Sequence, residues 1–355
     1  MKLEDLGYND NFEKILIGNS LQEFEIGRIV AEHKESYIVR TEKGEFKAEI
    51  TGNLRFSANS REDFPAVGDW VTITIYDSDF SIIHKILPRF SIVSRQAVGH
   101  FGEIQIIATN IDFGLIVQAV DRDFNINRIE RYLTICNSSK ISPIILLTKS
   151  DLISDKKKNE LLEKINNRIN KIPIYLISNQ TQEGYELIKK IFIKGKTYCL
   201  LGSSGVGKST LLNNLSGKNI MNTENISQTT GKGKHTTTHR ELVVLENGGI
   251  IIDNPGMREI GIIDSNIGME TTFNLIYSLS ENCKYSNCNH INEMGCFVIE
   301  AVKKGEIDKA SYENYLKLEK EKAYFESSVA ERRKKEKNFG KIMKNYKKSI
   351  QKDQL

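Results

Sequence analysis

The chain has 355 residues, with 50 Lys and Arg against 46 Asp and Glu, and a mean hydropathy of −0.37. No stretch approaches the roughly 18 apolar residues that a membrane-spanning helix requires, and the polar, acidic start MKLEDLGYND does not resemble a secretory signal. The length predicts two or three domains, and we expect a soluble, cytoplasmic protein.

Residues from about Glu23 to Val93 have the alternating pattern of short β-strands. The breaks in this pattern fall at Lys43-Gly44, at 51–53 and at 65–68, and no helical period occurs between them. Several short strands separated by turn residues predict a small β-barrel. A β-sandwich would give a similar pattern, so the residues alone leave both architectures open.

From about Ile106 the pattern changes to strands that alternate with helices. Strand-like apolar runs occupy 111–120, 143–148, 172–178, 197–202, 241–245 and 248–253, and helical spacing occupies 125–139, 156–170, 184–193 and 209–217. Such alternation predicts a mostly parallel sheet with helices on both faces. Phosphate-binding loops are then expected at the carboxyl ends of the strands.

Two motifs at predicted strand ends are typical of guanine recognition in GTPases, although each is a weak match by itself and the first, taken alone, is more typical of an exposed polar turn. In the first, Thr148-Lys-Ser-Asp151, the Asp151 carboxylate can accept from the ring N1–H and the exocyclic amino group of guanine, whereas it would repel the N1 acceptor of adenine. The stem of Lys149 can lie along the base, and Thr148 stands where Asn is more usual. Ser178 and Asn179 end the next strand, where GTPases place a loop whose backbone contacts the guanine oxygen.

A phosphate-binding loop is predicted between a strand and a helix. The run GSSGVGKS has the form G-x-x-x-x-G-K-[ST], in which backbone N–H groups close around phosphate oxygens. Lys208 would reach the β- and γ-phosphates and Ser209 would ligate Mg²⁺. The strand and helix context disfavours a chance match to a Gly/Ser-rich turn. The nucleotide-binding candidates here are Gly202, Ser203, Ser204, Gly205, Val206, Gly207, Lys208, Ser209 and Thr210.

A second phosphate-side motif, Asp253-Asn-Pro-Gly256, has the D-x-x-G form at the end of a strand. In this form Asp253 holds Mg²⁺ through water and the Gly256 amide meets the γ-phosphate. An isolated Asn-Pro-Gly is also a common turn. Met257 follows, where other GTPases carry a glutamine that orients the attacking water, and methionine cannot do so.

The polar segment 227–239 is rich in Gly and Thr and predicts a loop that orders around the γ-phosphate and Mg²⁺. One threonine of 236–238 should contact Mg²⁺, and we favour Thr237. His235 is the candidate that orients the water nucleophile, although a surface histidine without a chemical role stays open. A plain flexible loop is the alternative.

The order of these motifs is circularly permuted relative to a conventional GTPase. Base reading at 148–151 and 178–179 precedes phosphate binding at 202–209, and the motif at 253–256 comes last. Each motif keeps its own position at a strand end, so the sheet can close in the usual way with relocated termini.

Beyond the last motif lies a candidate metal site in the spacing Cys-x4-Cys-x-His-x5-Cys. Three thiolates and an imidazole suit a tetrahedral structural Zn²⁺ with no open position for water. Buried cysteines beside an incidental histidine are the alternative. The ligand candidates are Cys283, Cys288, His290 and Cys296.

A basic tail suggests a nucleic-acid partner. Nine Lys and Arg stand against two Glu between 331 and 348. Basic and aromatic residues of the barrel could face RNA together with this tail, although each alone is more typical of a solvated charge or a core ring. These barrel residues are Lys34, Arg40, Lys43, Lys47, Arg55, Tyr37, Phe46 and Phe56.

Taken together, six sequence features resemble those of the RsgA family of circularly permuted GTPases. They are VGDWV (67–71), TKSD, GSSGVGKST, HTTT (235–238), DNPG-Met-Arg and the Cys/His spacing. The resemblance implies a multidomain α+β fold. Its parts are an N-terminal extension and OB-fold barrel at 1–97, a central, circularly permuted P-loop GTPase at 98–264, and a C-terminal, mainly helical zinc domain with the basic tail at 265–355. It also implies late maturation of the 30S subunit, contacts with 16S rRNA, and GTP hydrolysis that the subunit stimulates. We further expect a monomer.

Two other functions stay open from the residues alone. A non-catalytic rRNA-binding module with a vestigial nucleotide pocket is disfavoured by intact Lys208 and Asp253. An ATP-driven nucleic-acid enzyme is disfavoured by Asp151 and by the lack of helicase-like motifs.

Overall fold

The computed structural model describes residues 1–33, 36–96, 103–121, 124–169, 171–217, 240–253 and 265–327. The chain begins with a 3₁₀ turn, Leu3–Leu6, and helix α1, Asp10–Gly18. The Asn9 side chain caps α1 by accepting from the Asn11 N–H at 3.0 Å. Phe12 and Leu16 of α1 are buried against Trp70 and Leu87. The sequence pattern had predicted only an extension here.

Five strands form the predicted N-terminal barrel. They are β1 (Glu25–His33), β2 (Ser36–Arg40), β3 (Glu45–Ile50), β4 (Trp70–Ile75) and β5 (Phe80–Ile86). Strands pair in the order β1-β2-β3-β5-β4, and β4 returns to β1, so the sheet closes. Only the β3–β5 pair in this circuit is parallel. Closure confirms the barrel and excludes the sandwich.

The break predicted at 51–53 begins a short helix, α2 (Gly52–Ser57), which is followed by a 3₁₀ turn at Arg61–Asp63. Both elements lie between β3 and β4. The Thr51 side chain caps α2 by accepting from the Leu54 N–H at 3.2 Å. The polar residues of this break therefore start a helix, as their capping chemistry allows.

The VGDWV segment joins the barrel to residues that come after it in the chain, Arg89 and Thr109. Asp69 is fully buried, accepts two hydrogen bonds from the Arg89 guanidinium at 2.7 and 2.8 Å, and accepts a third from the Thr109 hydroxyl at 2.7 Å. Gly68 has φ +97°, and a Cβ there would lie 2.2 Å from the Thr109 carbonyl oxygen. Trp70 packs in the core. The motif therefore has a structural role in this fold.

Two further strands, β6 (Ile92–Gln96) and β7 (Ile104–Thr109), pair antiparallel with each other. The alternating pattern did not predict this pair. The two strands lie on opposite sides of the domain boundary predicted at 97/98.

The central sheet has the predicted α/β arrangement. Its strands are β8 (Phe113–Ala119), β9 (Ser142–Thr148), β10 (Ile174–Leu176), β11 (Thr197–Leu201), β12 (Arg240–Val244) and β13 (Ile250–Asp253). They lie in the order β10-β9-β8-β11-β13-β12, and every pair is parallel except β13–β12. Strand β12 also pairs with β1, so one continuous sheet joins the barrel to this region.

Helices cover both faces of the central sheet. Side chains of α3 (Ile126–Ser138) and α4 (Asp155–Asn166) pack on one face, which includes Ile116 of β8. Side chains of α5 (Tyr185–Ile191) and α6 (Lys208–Ser216) pack on the other, which includes Leu115. Since successive strand residues point to opposite faces, an almost continuous apolar strand suits a sheet covered on both sides.

The C-terminal part is helical, as predicted. It contains α7 (Asn266–Thr272), α8 (Asn274–Ser280), α9 (Phe297–Lys304) and α10 (Lys309–Glu326) around a small core that includes Met269, Phe273 and Leu318. Gly268 of α7 lies so close to α3 that a Cβ would approach the Thr134 carbonyl oxygen to 2.3 Å. Across the described ranges, no helix combines the length and the apolar character that crossing a membrane requires.

Candidate functional site

The predicted nucleotide motifs lie along one edge of the central sheet. Strands β9, β10, β11 and β13 run parallel, so their carboxyl ends share this edge. The turn 148–151 follows β9, Ser178 lies just beyond β10, the loop 202–207 follows β11, and Asp253 ends β13. The structure therefore brings together four motifs that are scattered over about a hundred residues of sequence.

The loop 202–207 wraps around the side chain of Lys208. The ammonium group donates to the carbonyl oxygens of Gly202 and Ser203, both at 2.6 Å, and the residue is only 7% exposed. Gly205 and Gly207 have φ of +79° and +93°, a conformation that other residues rarely adopt. Helix α6 begins at Lys208, so its first N–H groups face the loop and favour an anion there.

Thr148, which replaces the more usual asparagine, contacts the phosphate loop directly. Its buried hydroxyl donates to the carbonyl oxygen of Val206 at 2.6 Å. Beside it, Lys149 has φ +61° and its ammonium group forms an ion pair with Asp121 at 2.6 Å. Although its side chain is shorter than that of asparagine, Thr148 therefore still links the turn 148–151 to the phosphate loop.

Asp151 lies exposed just beyond the end of β9. It is the middle residue of the 3₁₀ turn Ser150–Leu152, in which Ser150 is buried, and its carboxylate forms no hydrogen bond or ion pair with the residues that the structure describes. The turn itself is fixed, because the Ser150 N–H donates to the Ile177 carbonyl oxygen at 3.1 Å. The Ser150 hydroxyl adds a hydrogen bond to Glu183 at 3.2 Å.

The second base-side segment, Ser178 and Asn179, is also held in place. The buried Ser178 hydroxyl accepts from the N–H groups of Gln180 and Thr181 at 3.2 and 3.0 Å. The Asn179 amide donates to the carbonyl oxygen of Gly207 at 2.9 Å. Sequence reasoning had considered only backbone contacts of Asn179 with a base.

The magnesium candidates are only partly described. Ser209 lies in the first turn of α6, and Asp253 ends β13, the strand that pairs with β11. A hydroxyl and a carboxylate at neighbouring strand ends are the oxygen ligands that Mg²⁺ prefers. Thr237, His235 and Gly256 lie outside the described residues, as do Met257 and the tail from 328 onward.

The four predicted metal ligands converge within the helical part. Their ligand atoms all lie within 4.8 Å of one another. The His290 Nδ1 is 3.4 Å from the Cys296 Sγ and 3.7 Å from the Cys283 Sγ, and the two sulfurs are 3.9 Å apart. A tetrahedral Zn²⁺ with about 2.3 Å Zn–S and 2.0 Å Zn–N bonds separates its ligand atoms by about 3.5 to 3.8 Å. The donor set and its spacing therefore fit zinc.

Neighbouring elements position these ligands. Cys296 caps α9, where its Sγ accepts from the Ile299 N–H at 3.5 Å, and a helix N-terminus favours a thiolate. His290 has φ +58°, and its carbonyl oxygen accepts from the Tyr312 hydroxyl of α10. Without a metal, burial raises the pKa of the Cys296 thiol to about 11 and lowers that of His290. A bound cation would reverse the thiol's preference.

A buried carboxylate, which sequence reasoning missed, joins the central region to the helical part. Glu130 of α3 is 2% exposed and binds the Arg168 guanidinium at 2.6 and 3.1 Å. It also accepts from Ser311 and Asn314 of α10, both at 2.7 Å. The available signal was its spacing, since Glu130 falls four residues after the buried Ile126 on the apolar face of α3.

The aromatic residues of the barrel have different environments. Tyr37 and Phe46 are buried in its interior, so the suggestion that they face RNA is wrong. Phe56 of α2, by contrast, is 93% exposed. Lys43 and Arg40 form ion pairs with Glu25 and Glu45 at the surface.

Comparison with known proteins identifies the family. A family model described as RsgA GTPase matches residues 86–263. The chain is 38% identical over 342 residues to small ribosomal subunit biogenesis GTPase RsgA 1 of Bacteroides thetaiotaomicron, covering 96% of both chains. It is 41% identical over 325 residues to the protein of that name from Listeria innocua, covering 91% of this chain and 90% of the relative.

Solved structures agree with this assignment. The crystal structure of YjeQ from Thermotoga maritima is 26% identical with a TM-score of 0.61, and the match covers 83% of this chain and 96% of that chain. The structure of YloQ, described as a circularly permuted GTPase, is 25% identical with a TM-score of 0.58, covering 83% and 93%. The resemblance seen in the motifs is confirmed: this chain belongs to the RsgA family of circularly permuted small ribosomal subunit biogenesis GTPases.

Proposed function

We propose that this chain binds the 30S ribosomal subunit, acts in its late maturation, and hydrolyses GTP to GDP and phosphate with stimulation by the subunit. One observation carries the proposal. The Thr148 hydroxyl in the base-reading turn reaches the Val206 carbonyl oxygen in the phosphate loop at 2.6 Å, although 58 residues separate them. The two ends of a guanine nucleotide therefore have adjoining binding loops.

The binding roles follow from the chemistry of each side chain. Asp151 accepts from the guanine ring, and Lys149 lies along the base. The ammonium group of Lys208 exchanges its carbonyl partners for the β- and γ-phosphates, since charged oxygens bind it more strongly than neutral carbonyls. The backbone N–H groups of the loop and of Ser209 and Thr210 bind the remaining phosphate oxygens.

The hydrolytic step uses residues on the phosphate side. Ser209 and Asp253 would hold Mg²⁺ together with Thr237, and a bound ion would neutralise charge on the phosphate oxygens. The Gly256 N–H meets the γ-phosphate, and His235 orients the attacking water. We expect slow turnover by the isolated chain and faster turnover when the subunit is bound.

The zinc site is structural in this proposal. One Zn²⁺ fills the Cys₃His set completely, so no position is left for water and no step of hydrolysis involves it. We also propose three domains: a barrel at 1–97, a GTPase at 98–264 and a zinc-binding part at 265–355. The chain acts as a cytoplasmic monomer.

Contact with 16S rRNA is proposed for two surfaces. The basic residues 332–348 supply charge for phosphate contacts, which carry most of the salt-dependent affinity for nucleic acid. Phe56 is the exposed ring of the barrel on which a base can stack.

The test is nucleotide turnover with GTP and with ATP, each with and without purified 30S subunits. Strong stimulation of GTP hydrolysis by the subunit is the expected result. If neither nucleotide is turned over, the chain is an rRNA-binding module with a vestigial pocket. If ATP is preferred, the base assignment fails.

Replacing Asp151 with asparagine should change which base the protein prefers. The amide loses two charge-assisted hydrogen bonds to guanine, so GTP affinity should fall roughly tenfold to a hundredfold. Xanthosine triphosphate should now bind better than GTP, because its extra carbonyl accepts from the new amide. Competition binding with the two nucleotides measures the preference.

The matched control is Asp155→Asn, an exposed aspartate four residues away that begins α4. This variant should keep the original preference for guanine. An Asp151→Asn protein with the same preference would contradict the assignment of TKSD.

A further inference from the structure

The side chain of Asn179 extends from the base-side segment, Ser178 and Asn179, to the phosphate loop. Its Nδ2 donates to the carbonyl oxygen of Gly207 at 2.9 Å, and its Oδ1 accepts from the Tyr185 hydroxyl at 2.7 Å. A Cβ on Gly207 would come within 2.6 Å of the Asn179 Nδ2, so the two groups are in tight contact. The amide therefore faces the phosphate loop.

Neighbouring donors fix the orientation of this amide. The Asn214 Nδ2 in α6 donates to the Asn179 backbone carbonyl at 3.1 Å and to the Tyr185 oxygen at 3.0 Å. Because Tyr185 accepts there, its own hydrogen is free to be donated to the Asn179 Oδ1. Burial raises the pKa of Tyr185 to about 12, so the hydroxyl keeps its proton at neutral pH. Only the Nδ2 of Asn179 is then left to meet the Gly207 carbonyl.

The hydrogen bonds form a closed circuit. The Gly207 carbonyl accepts from the Asn179 amide, and the Asn179 Oδ1 accepts from the Tyr185 hydroxyl of α5. The Tyr185 oxygen in turn accepts from Asn214 of α6, the helix that follows the phosphate loop and is capped by Gly207. Closed networks of buried polar groups hold their members more rigidly than single bonds do. The circuit therefore attaches the guanine side to the phosphate side at two points.

The held carbonyl controls a phosphate-binding donor. The Gly207 carbonyl and the Lys208 N–H belong to one planar trans peptide, so they point in opposite directions. The Gly207 carbonyl also accepts from the Leu211 N–H of α6 at 2.9 Å, and the Asn179 amide adds a second hydrogen bond to it from outside the helix. Together these bonds aim the Lys208 N–H into the loop. Thr148 does the same for the preceding peptide through the Val206 carbonyl.

We propose that Asn179 is a positioning residue that orients the Lys208 N–H for phosphate by holding the Gly207 carbonyl, and this inference rests on the proposed binding of GTP. In this role the side chain would contact neither the base nor the γ-phosphate. Its loss should therefore weaken GDP and GTP equally and leave the base preference unchanged.

Three variants test the proposal by equilibrium binding of GDP and GTP. Asn179→Ala should weaken both nucleotides about threefold to tenfold, as expected for one lost hydrogen bond. Asn179→Asp has the same shape but sets a carboxylate against the Gly207 carbonyl, so a loss of about tenfold or more is expected. Tyr185→Phe keeps the buried ring and should cost about twofold to fivefold.

Two readouts distinguish positioning from a general weakening of the fold. Asn179→Ala combined with Tyr185→Phe should lose less affinity than the sum of the single changes, because both act through one carbonyl. In subunit-stimulated hydrolysis the KM for GTP should rise while kcat stays within about twofold. Gln180→Ala, which removes an exposed amide from the same segment, is the control and should bind as the unaltered protein does.

The outcomes separate this inference from the proposed function. Unaltered protein that binds neither nucleotide would remove the GTPase proposal and this inference with it. Unaltered protein that binds both, with Asn179→Ala and Asn179→Asp unchanged, would overturn the positioning role alone. An Asn179→Ala protein that no longer discriminates between guanine and xanthine would also overturn the positioning role, since that result would place the side chain at the base.

Discussion

Replacing Lys208 with alanine should abolish the binding of both GDP and GTP. The ammonium group is enclosed by the phosphate loop, where it donates to two carbonyl oxygens, and the proposed function assigns it to the β- and γ-phosphates. Charge-assisted hydrogen bonds of this kind contribute about 1.5 to 3 kcal/mol each, so losing two of them lowers the affinity by at least about a hundredfold. Titration with a fluorescent guanine nucleotide measures the loss.

The change also alters the empty loop, which makes a stability control necessary. Without Lys208 the carbonyl oxygens of Gly202 and Ser203 lose their donor, at a cost of about 1 kcal/mol in the free energy of unfolding. GDP at a hundred times its Kd should stabilise the unaltered protein by about 2.7 kcal/mol, whereas it should not stabilise Lys208→Ala. Lys189→Ala, at an exposed lysine of α5, should bind as usual. Retained affinity in Lys208→Ala would contradict the phosphate-loop assignment.

Local patterns predicted the strands and helices of the central sheet well, for a physical reason. Buried strands of a parallel sheet need continuous apolar runs, and the loops that bind phosphate need glycine at fixed positions. The run at 111–120 thus contains β8, and the helix that follows the loop begins at Lys208 as its motif requires. Both signals lie within about ten residues of sequence.

Contacts between distant residues gave no such signal. Glu130 is satisfied by Arg168, 38 residues away, and by Ser311, 181 residues away. The Asn179 amide is satisfied by Gly207, 28 residues away. Which polar groups meet depends on how the helices pack, and no spacing along the chain encodes it.

In the barrel, too, local sequence pattern predicted the strands but not the contacts between distant residues. Alternation predicted its strands, but it predicted neither the pairing of β1 with β12 of the central sheet nor the burial of Tyr37 and Phe46. Strand alternation states which residues share a face; it does not state which face is inside.

Removing the metal should unfold the C-terminal helical part and leave the GTPase site able to bind GDP. That part has a small apolar core, and its longest connection, between α8 and α9, carries all four metal ligands. Structural zinc contributes about 10 to 16 kcal/mol in small zinc domains, which exceeds what so small a core supplies. We expect about one zinc per chain, lost by chelation or in Cys296→Ser.

The measurement is metal content together with hydrogen exchange resolved along the chain. Loss of zinc should remove protection from α7 to α10, because Cys296 caps α9 and the His290 carbonyl holds Tyr312 of α10. Protection in β8 to β11 should remain, since their core is separate. Cys199→Ala removes a buried thiol of β11 that lies outside the metal set, so it should keep its zinc. A zinc-free chain with α7 to α10 still protected would show that packing alone holds these helices.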